Sequence, residues 1–371
     1  MHTLADVTQL THTSVQLPVS WYLDTHILKL EKNCLFDQGP GYVGHENMLP
    51  NLGDYYVLDW MDGAKVLINN ENGIQLLSNI CRHRQSLLLK GNGNTRNIVC
   101  PVHRWTYDID GRLIGAPHFS NTPCLSLGDF PLQNWNGMLF AGKRNVFYDM
   151  ANLSVLSYFD FSGYLLERVQ IKEYPCNWKT FIEVYLEDYH VESYHPGLNN
   201  FVNTDELKWE FGDWYSVQTV GVNRAFTNPG TPAYAKWHEQ VLRQNLNRVV
   251  SPYGAIWVLY YPNIMLEWYP HVLIISTLLP TGAESCKNVV EFYYPEDIVL
   301  FEPEFVKAEQ AAYNETAEED NSICKLITAG RRVLNTQGLN ESGPYLPKME
   351  DGMANFHKFI RQKIEPHISK S

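Results

Sequence analysis

Between Leu207 and Tyr294 the apolar residues come in short β-branched or alternating runs, LKWEFGDWYSVQTVG, AIWVLYYPNIMLEWYPHVLIISTLLP and KNVVEFYYP. Pro and Gly turns part them, which predicts an antiparallel sheet. Nearer the start, Tyr55 to Trp60 and Lys65 to Asn69 flank an Asp62-Gly63 pair, the pattern of a hairpin. Residues 118 to 150 continue as further short strands. Helical patterns stand out twice. Asn177 to His195 reads as one helix, capped by Asn177 and stopped by Pro196, and Glu304 to Leu334 reads as a long one. Ser20 to Leu52 is a loop-rich lead-in, and 151 to 172 a linker. Phe226 to Val249 is Pro- and Gly-broken and then helix-like, a lid or a surface excursion. The tail from Asn335 ends in a short basic helix.

The first helical stretch carries chemistry. Glu187 and His190 are three apart and share a helix face, and His195 follows five further on. Two neutral imidazoles and one carboxylate from elsewhere make a facial triad suited to Fe(II), with positions left open for oxygen and substrate. On the long helix Asp320 shares a face with Cys324 and Ile327, whereas Glu318 points away and Glu319 aligns with Ser322 and Ile323. A carboxylate on a buried face needs a cation, so Asp320 is the choice for third ligand and Glu319 the alternative. Upstream, Cys81-x-His83 and Cys100-x2-His103 are two ligand pairs separated by sixteen residues, each at a loop tip. Zinc accepts such a set. Pairing one Cys with one His in each loop favours a [2Fe-2S] cluster, with two cysteines on one iron and two histidines on the other. Pro101, Gly91 and Gly93 supply turns to hold the loops face to face.

Composition narrows the rest. A chain of 371 residues, 44% hydrophobic and 19% charged, is globular and long enough for two domains. The formal charge of −12 argues against nucleic acid or an anionic membrane as partner. The first eighteen residues lack the basic start and apolar run of a secretory signal, no apolar stretch is long enough to span a bilayer, and the cytoplasm is the expected location. Seven cysteines, an odd number, read as metal ligands and core residues in a reducing compartment. Twenty-two Tyr, sixteen Phe and ten Trp suggest an aromatic pocket or broad sheet packing. Trp209, Trp257 and Trp268 are the pocket candidates, although strand alternation sends about half of the sheet aromatics elsewhere. Around the Cys/His pairs Arg82, Arg84, Lys90, Arg96, Arg104 and Arg112 outnumber Asp108 and Asp110. That is either a docking surface for an acidic electron donor or arginines packed on loops and neighbouring subunits.

The segment holding the Cys/His pairs, through His103-Arg104-Trp105-Thr106-Tyr107-Asp108, Gly111 and Gly115-Ala116-Pro117, closely resembles the Rieske motif of the α subunits of Rieske non-haem iron ring-hydroxylating oxygenases. The resemblance extends to Asn177-Trp178-Lys179, Glu183, Glu187, His190 and His195 in order, and covers nearly the whole chain. It departs at Glu187, where aspartate is commoner, and at Val184, where many members have asparagine. What it implies is an α+β chain: a lead-in over 1–40 packing on the catalytic domain, a mainly β Rieske [2Fe-2S] domain over 41–150, and a catalytic mononuclear iron domain over 151–371. The last is a helix-grip (START/SRPBCC-like) arrangement of antiparallel sheet and long C-terminal helix. It further implies a cluster on Cys81, His83, Cys100 and His103, Fe(II) on His190, His195 and Asp320, and a head-to-tail homotrimer. In that trimer Glu187, with Asp188 as rival, links an iron-bound histidine to a Rieske histidine of the neighbouring subunit. With no GxGxxG fingerprint in the chain, electrons from NAD(P)H must come through a separate reductase or ferredoxin. O2 then serves hydroxylation, cis-dihydroxylation or oxidative dealkylation of a small organic substrate. An aromatic one is the first expectation and a quaternary ammonium compound, held by cation–π contacts, the alternative. A non-catalytic electron carrier and a zinc-stabilised ligand-binding module are the rivals from outside the class.

Overall fold

The computed structural model of the chain describes residues 15–223, 229–245 and 251–368. They fall into two compact units, one formed by Gln38–Tyr148 and one by the described residues on either side of it.

The smaller unit is built of short strands: β1 (Gly41–His45), β2 (Asp54–Val57), β3 (Lys65–Asn70), β4 (Gly73–Ser78), β5 (Asn92–Asn94), β6 (Asn97–Val99), β7 (Thr106–Asp108), β8 (Leu113–Gly115), β9 (Asp129–Phe130), β10 (Leu132–Trp135) and β11 (Met138–Ala141). They form three sheets, in the orders β1, β11, β10, then β5, β2, β3, β4, β9, then β6, β7, β8. The predicted hairpin is there, with Tyr55 opposite Ile68. Asp62 and Gly63 both take positive φ at its turn, which is what an Asp-Gly pair is suited to. Val66, Ile68, Leu77, Ile98, Trp105 and Tyr107 pack into one core with Cys81 and Cys100.

In the larger unit α1 (Thr25–Glu31) precedes the strand β12 (Tyr164–Tyr174) and the helices α2 (Trp178–Tyr185), α3 (Val191–Tyr194) and α4 (Pro196–Phe201). Then come β13 (Val202–Phe211), β14 (Tyr215–Val222), α5 (Pro232–Asn245), β15 (Tyr253–Tyr260), β16 (Ile264–Tyr269), β17 (Val272–Gly282) and β18 (Ser285–Pro295), followed by α6 (Pro303–Thr336) and α7 (Asp351–Ile368). The strands make one seven-stranded antiparallel sheet, ordered β12, β18, β17, β16, β15, β14, β13. At 34 residues α6 is about 50 Å long, and it lies on the sheet through Phe305 against Tyr294 and Tyr313 against Phe292. Residues of the opposite parity meet the segment before β12, as Tyr158 packs on Trp268 and Phe161 on Tyr293. Both sheet faces are therefore covered, and β14 to β17 show long runs of buried residues rather than a clean alternation.

Two expectations change here. The linker expected over 151 to 172 carries, from Tyr164 onward, the strand β12 of the large sheet. The stretch from Asn177 to His195 is not one helix, since α2 ends at Tyr185 and α3 begins at Val191. The Glu187 carboxylate accepts the backbone N–H of His190, and the N–H of Asp188 goes to the carbonyl of Met349, so local bonds replace the helical ladder. Of Phe226 to Val249, expected to be a lid or a surface excursion, Pro232–Asn245 is α5, while 226–228 and 246–249 lie outside the described residues. Among the described residues no helix is long and apolar enough to cross a membrane.

Candidate active site

The break after α2 aims two histidines at α6. Nε2 of His190 lies 2.9 Å from Nε2 of His195, and Oδ1 of Asp320 lies 3.6 Å and 3.0 Å from them. On the far side of each ring a glutamate holds Nδ1: Glu187 on His190 at 2.5 Å and Glu319 on His195 at 2.6 Å. Carboxylates at Nδ1 fix the proton there and leave both Nε2 lone pairs facing each other and Asp320. Lone pairs that close repel unless a cation sits among them. Burial works against charging His190, yet Asp320 and Glu187 together raise its pKa to about 10, the mark of a site short of positive charge. Two imidazoles and one carboxylate oxygen therefore fit a mononuclear divalent metal of the Fe(II) kind.

Beside this triad a cavity of about 100 Å3 opens between the sheet, α2, α5 and α6. Trp237, Trp257, Tyr234, Tyr269 and Tyr313 line much of it, but so do three acids, Asp188, Glu267 and Glu309, which are 4%, 5% and 1% exposed. Burial raises the pKa of Glu267 to about 7 and of Glu309 to about 8, with the charge of Asp320 adding to the first and that of Glu267 to the second. Tyr269 donates to Glu267 at 2.9 Å, and Tyr294 donates to Glu309. Gln218 donates to Oδ1 of Asp188, leaving Oδ2 buried with no protein donor.

In the smaller unit two loops of matching conformation bring the Cys/His pairs together. The N–H of Cys81 donates to Ser86 and that of Gln85 to Cys81, just as Cys100 donates to Trp105 and Arg104 to Cys100. Gln85 and Arg104 take the left-handed conformation at the equivalent place, so these two residues rather than Gly91, Gly93 or Pro101 close the loops. Cys81 and Cys100 are buried, the His83 and His103 rings stand 4.6 Å apart, and His83 stacks on Trp105. Nδ1 of His83 is buried with no partner. Two buried thiols and two imidazoles, one with an unmet nitrogen, fit a Rieske cluster. Arg82, Arg84, Lys90, Arg96 and Arg104 are exposed around them, while Arg112 is paired with Asp108 and Asp110.

Placement differs for several residues singled out from the sequence. His190, His195 and Asp320 converge, and Glu187 rather than Asp188 meets an imidazole. Asp188 turns inward to the cavity. Of the three tryptophans only Trp257 lines the cavity. Trp268 has the opposite parity from Met265, Glu267 and Tyr269 on β16 and faces Tyr158 instead, and Trp209 on the edge strand donates to the carbonyl of Lys348 and stacks on Phe211. Sequence reasoning missed Glu267, Glu309, Tyr234 and Trp237. A signal existed for Glu267, an acid in the middle of the apolar run IMLEWY.

The model of the ring-hydroxylating α subunit catalytic domain matches residues 155–366, and that of the Rieske [2Fe-2S] domain residues 40–130. A putrescine 2-hydroxylase of Ralstonia nicotianae is 54% identical over 98% of this chain and 100% of its own length. Another, of Bordetella bronchiseptica, is 48% identical over 97% and 87%. Among solved structures, a quaternary ammonium Rieske monooxygenase of carnitine oxidation superposes with a TM-score of 0.77 at 19% identity, covering 95% of this chain and 96% of that one. The cofactors are accordingly a Rieske [2Fe-2S] cluster and a mononuclear iron, and the chain is an oxygenase. With both domain models matched in order, and relatives about half identical along almost their full length, this chain belongs to the ring-hydroxylating α subunit family of Rieske oxygenases.

Proposed function

We propose that this chain is the terminal oxygenase of a system that hydroxylates a small aliphatic diamine, putrescine or a close analogue, at a carbon next to an aminomethyl end. The observation that carries the reading is the set of buried acids, Asp188, Glu267 and Glu309, in the cavity beside the metal triad. Anions buried without cations are costly, and a dication supplies what they lack. The two putrescine 2-hydroxylase relatives support it. An aromatic hydrocarbon offers these acids nothing and displaces their water, so the first expectation is replaced. A quaternary ammonium has no N–H to donate to a carboxylate, so it satisfies the aromatic wall but not the acids.

In this reading Cys81, His83, Cys100 and His103 hold the cluster and His190, His195 and Asp320 the iron. When bound, these groups supply dioxygen activation and relay the two electrons it needs. One oxygen atom enters a C–H bond of the substrate, the other leaves as water with two protons, and a separate NAD(P)H-dependent reductase or ferredoxin is the electron source. Glu187 keeps the proton on Nδ1 of His190 and is the bridge toward a neighbouring subunit's cluster in a homotrimer. Glu319 fixes the His195 ring. The apolar wall of Trp237, Trp257 and Tyr234 keeps bulk water away, and the acids bind and orient the ammonium groups.

Purified oxygenase supplied with a matched reductase, NAD(P)H and O2 should convert putrescine to a product one oxygen atom heavier, with NAD(P)H consumed in step. Naphthalene and carnitine should give none. Burial first, and then the charge of Asp320 on Glu267 and of Glu267 on Glu309, keep these two acids protonated in a cavity also lined by Tyr185 and Tyr313, so their protons leave only as pH rises through about 7 to 8. A primary ammonium stays charged over that range. Diamine affinity should therefore increase between pH 6 and pH 8, with protons released on binding. No putrescine turnover under any of these conditions would sink the reading.

A further inference from the structure

We propose that Asp188 and Glu267 are the two ends of an ammonium clamp that sets both the length of the diamine accepted and the carbon presented to the iron. The inference rests on the diamine reading and goes further by assigning each ammonium its place.

Asp188 is two residues from His190, and its carboxylate is buried facing the cavity. Oδ1 is taken by Nε2 of Gln218, but Oδ2 of Asp188 and Oε1 of Gln218 are both buried with no hydrogen-bond partner. Two unmet acceptors next to the metal triad call for a positively charged donor with more than one N–H, which is what an ammonium is.

Glu267 forms the other end. It sits in the middle of β16, held from behind by a relay in which Trp257 donates to Tyr269 at 2.8 Å and Tyr269 donates to Glu267 at 2.9 Å. Tyr185, whose hydroxyl is buried without a partner, feels the Glu267 charge and adds a further acceptor on that side. The charge of Asp320 reaches Glu267, and that of Glu267 reaches Glu309. Those two helix residues lie eleven positions apart on α6, about 16 Å along its axis, and both line the same cavity as Glu267. Glu309, which also lines the cavity, is already engaged by Tyr294.

Asp188 and Glu267 line one cavity, so a diamine that gives each of them an ammonium must have a chain matched to their separation. With one ammonium on Asp188, beside His190 and His195, the carbon that meets the iron is near that end of the chain. The second ammonium on Glu267 stops the chain from sliding. Because the diamine is symmetric, either end enters first with the same outcome.

The test compares 1,4-diaminobutane with n-butylamine, measured as dissociation constants by calorimetry on anaerobic, iron-loaded enzyme and as the position of the new hydroxyl by NMR. In Glu267→Gln the diamine should bind on the order of 100-fold more weakly, while n-butylamine, which uses only the Asp188 end, changes little. In Glu267→Asp the carboxylate recedes by one methylene, and preference should move toward 1,5-diaminopentane. This second variant decides the matter if Glu267→Gln fails to fold. Equal losses for both amines would mean a structural role and would overturn the clamp, as would unchanged binding of both. Wild-type enzyme that hydroxylates the diamine, combined with an unaltered diamine-to-monoamine ratio in the variants, overturns the clamp alone. Wild-type enzyme that neither binds nor hydroxylates any diamine overturns the function reading and the clamp together.

Discussion

Glu187 and Asp188 are adjacent carboxylates, yet one reaches the outer nitrogen of His190 and the other faces the cavity. The turn between α2 and α3 separates them, and in a continuous helix their side chains would diverge by only about 100°. Their roles are therefore separable by substitution. Glu187→Gln can still bond to the His190 ring but loses its charge. Iron content and the reduced-cluster EPR signal should be unchanged, whereas turnover should fall about 10- to 100-fold. Full turnover in that variant would remove Glu187 from the path to the iron. The same local view explains Glu319. From periodicity it competed with Asp320 as a ligand, and the structure gives the two different atoms of one imidazole, Nδ1 and Nε2. Spacing along a helix cannot tell which nitrogen a carboxylate will meet.

At the scale of elements, the motif Asn177-Trp178-Lys179 with Glu183 is an anchor. Asn177 caps α2 and donates to the carbonyls of Tyr22 and Ala283, Trp178 and Lys179 share Glu31, and Glu183 is gripped by Tyr22, Arg331 and His357. These contacts tie α2 to the segment before it, to α6 and to α7, and so fix where His190 starts. Burial pushes the Glu183 carboxyl up, but the Arg331 guanidinium and then His357 outweigh it and hold its pKa at about 2. A carboxyl depressed on folding adds stability above its unfolded pKa, and that stability is lost as pH falls from about 4.5 toward 2. Glu183→Gln should cost about 3 to 5 kcal/mol in urea unfolding at pH 7, and the gap from wild type should narrow in acid. A variant as stable as wild type would show that this network is not what seats α2. The capped start of α2 and the period of α6 were legible because each depends on neighbours in the chain. The break after Tyr185 was not, because it depends on Met349, and the tryptophans misled because both faces of the sheet are buried.

Across the whole molecule, the ligand pairs and the family pattern were readable because they lie in compact stretches of sequence. The acid cavity was not, since Asp188, Glu267 and Glu309 come from a turn, a strand and a helix that only the fold assembles. The metal triad is assembled in the same way, with His195 and Asp320 separated by 125 positions. An ion held there acts as a removable cross-link, and mass action makes it part of the stability of the larger unit. At a free iron concentration about 100 times its dissociation constant the gain is about 3 kcal/mol. Stripping iron with a chelator should lower the unfolding temperature by several degrees, reversibly on adding Fe(II) back. No shift would mean that α6 and the histidine turn are docked without the metal. In an iron-starved cell the uncrosslinked chains open more often and are degraded first, so the amount of this enzyme, and not just its activity, would follow the iron ration.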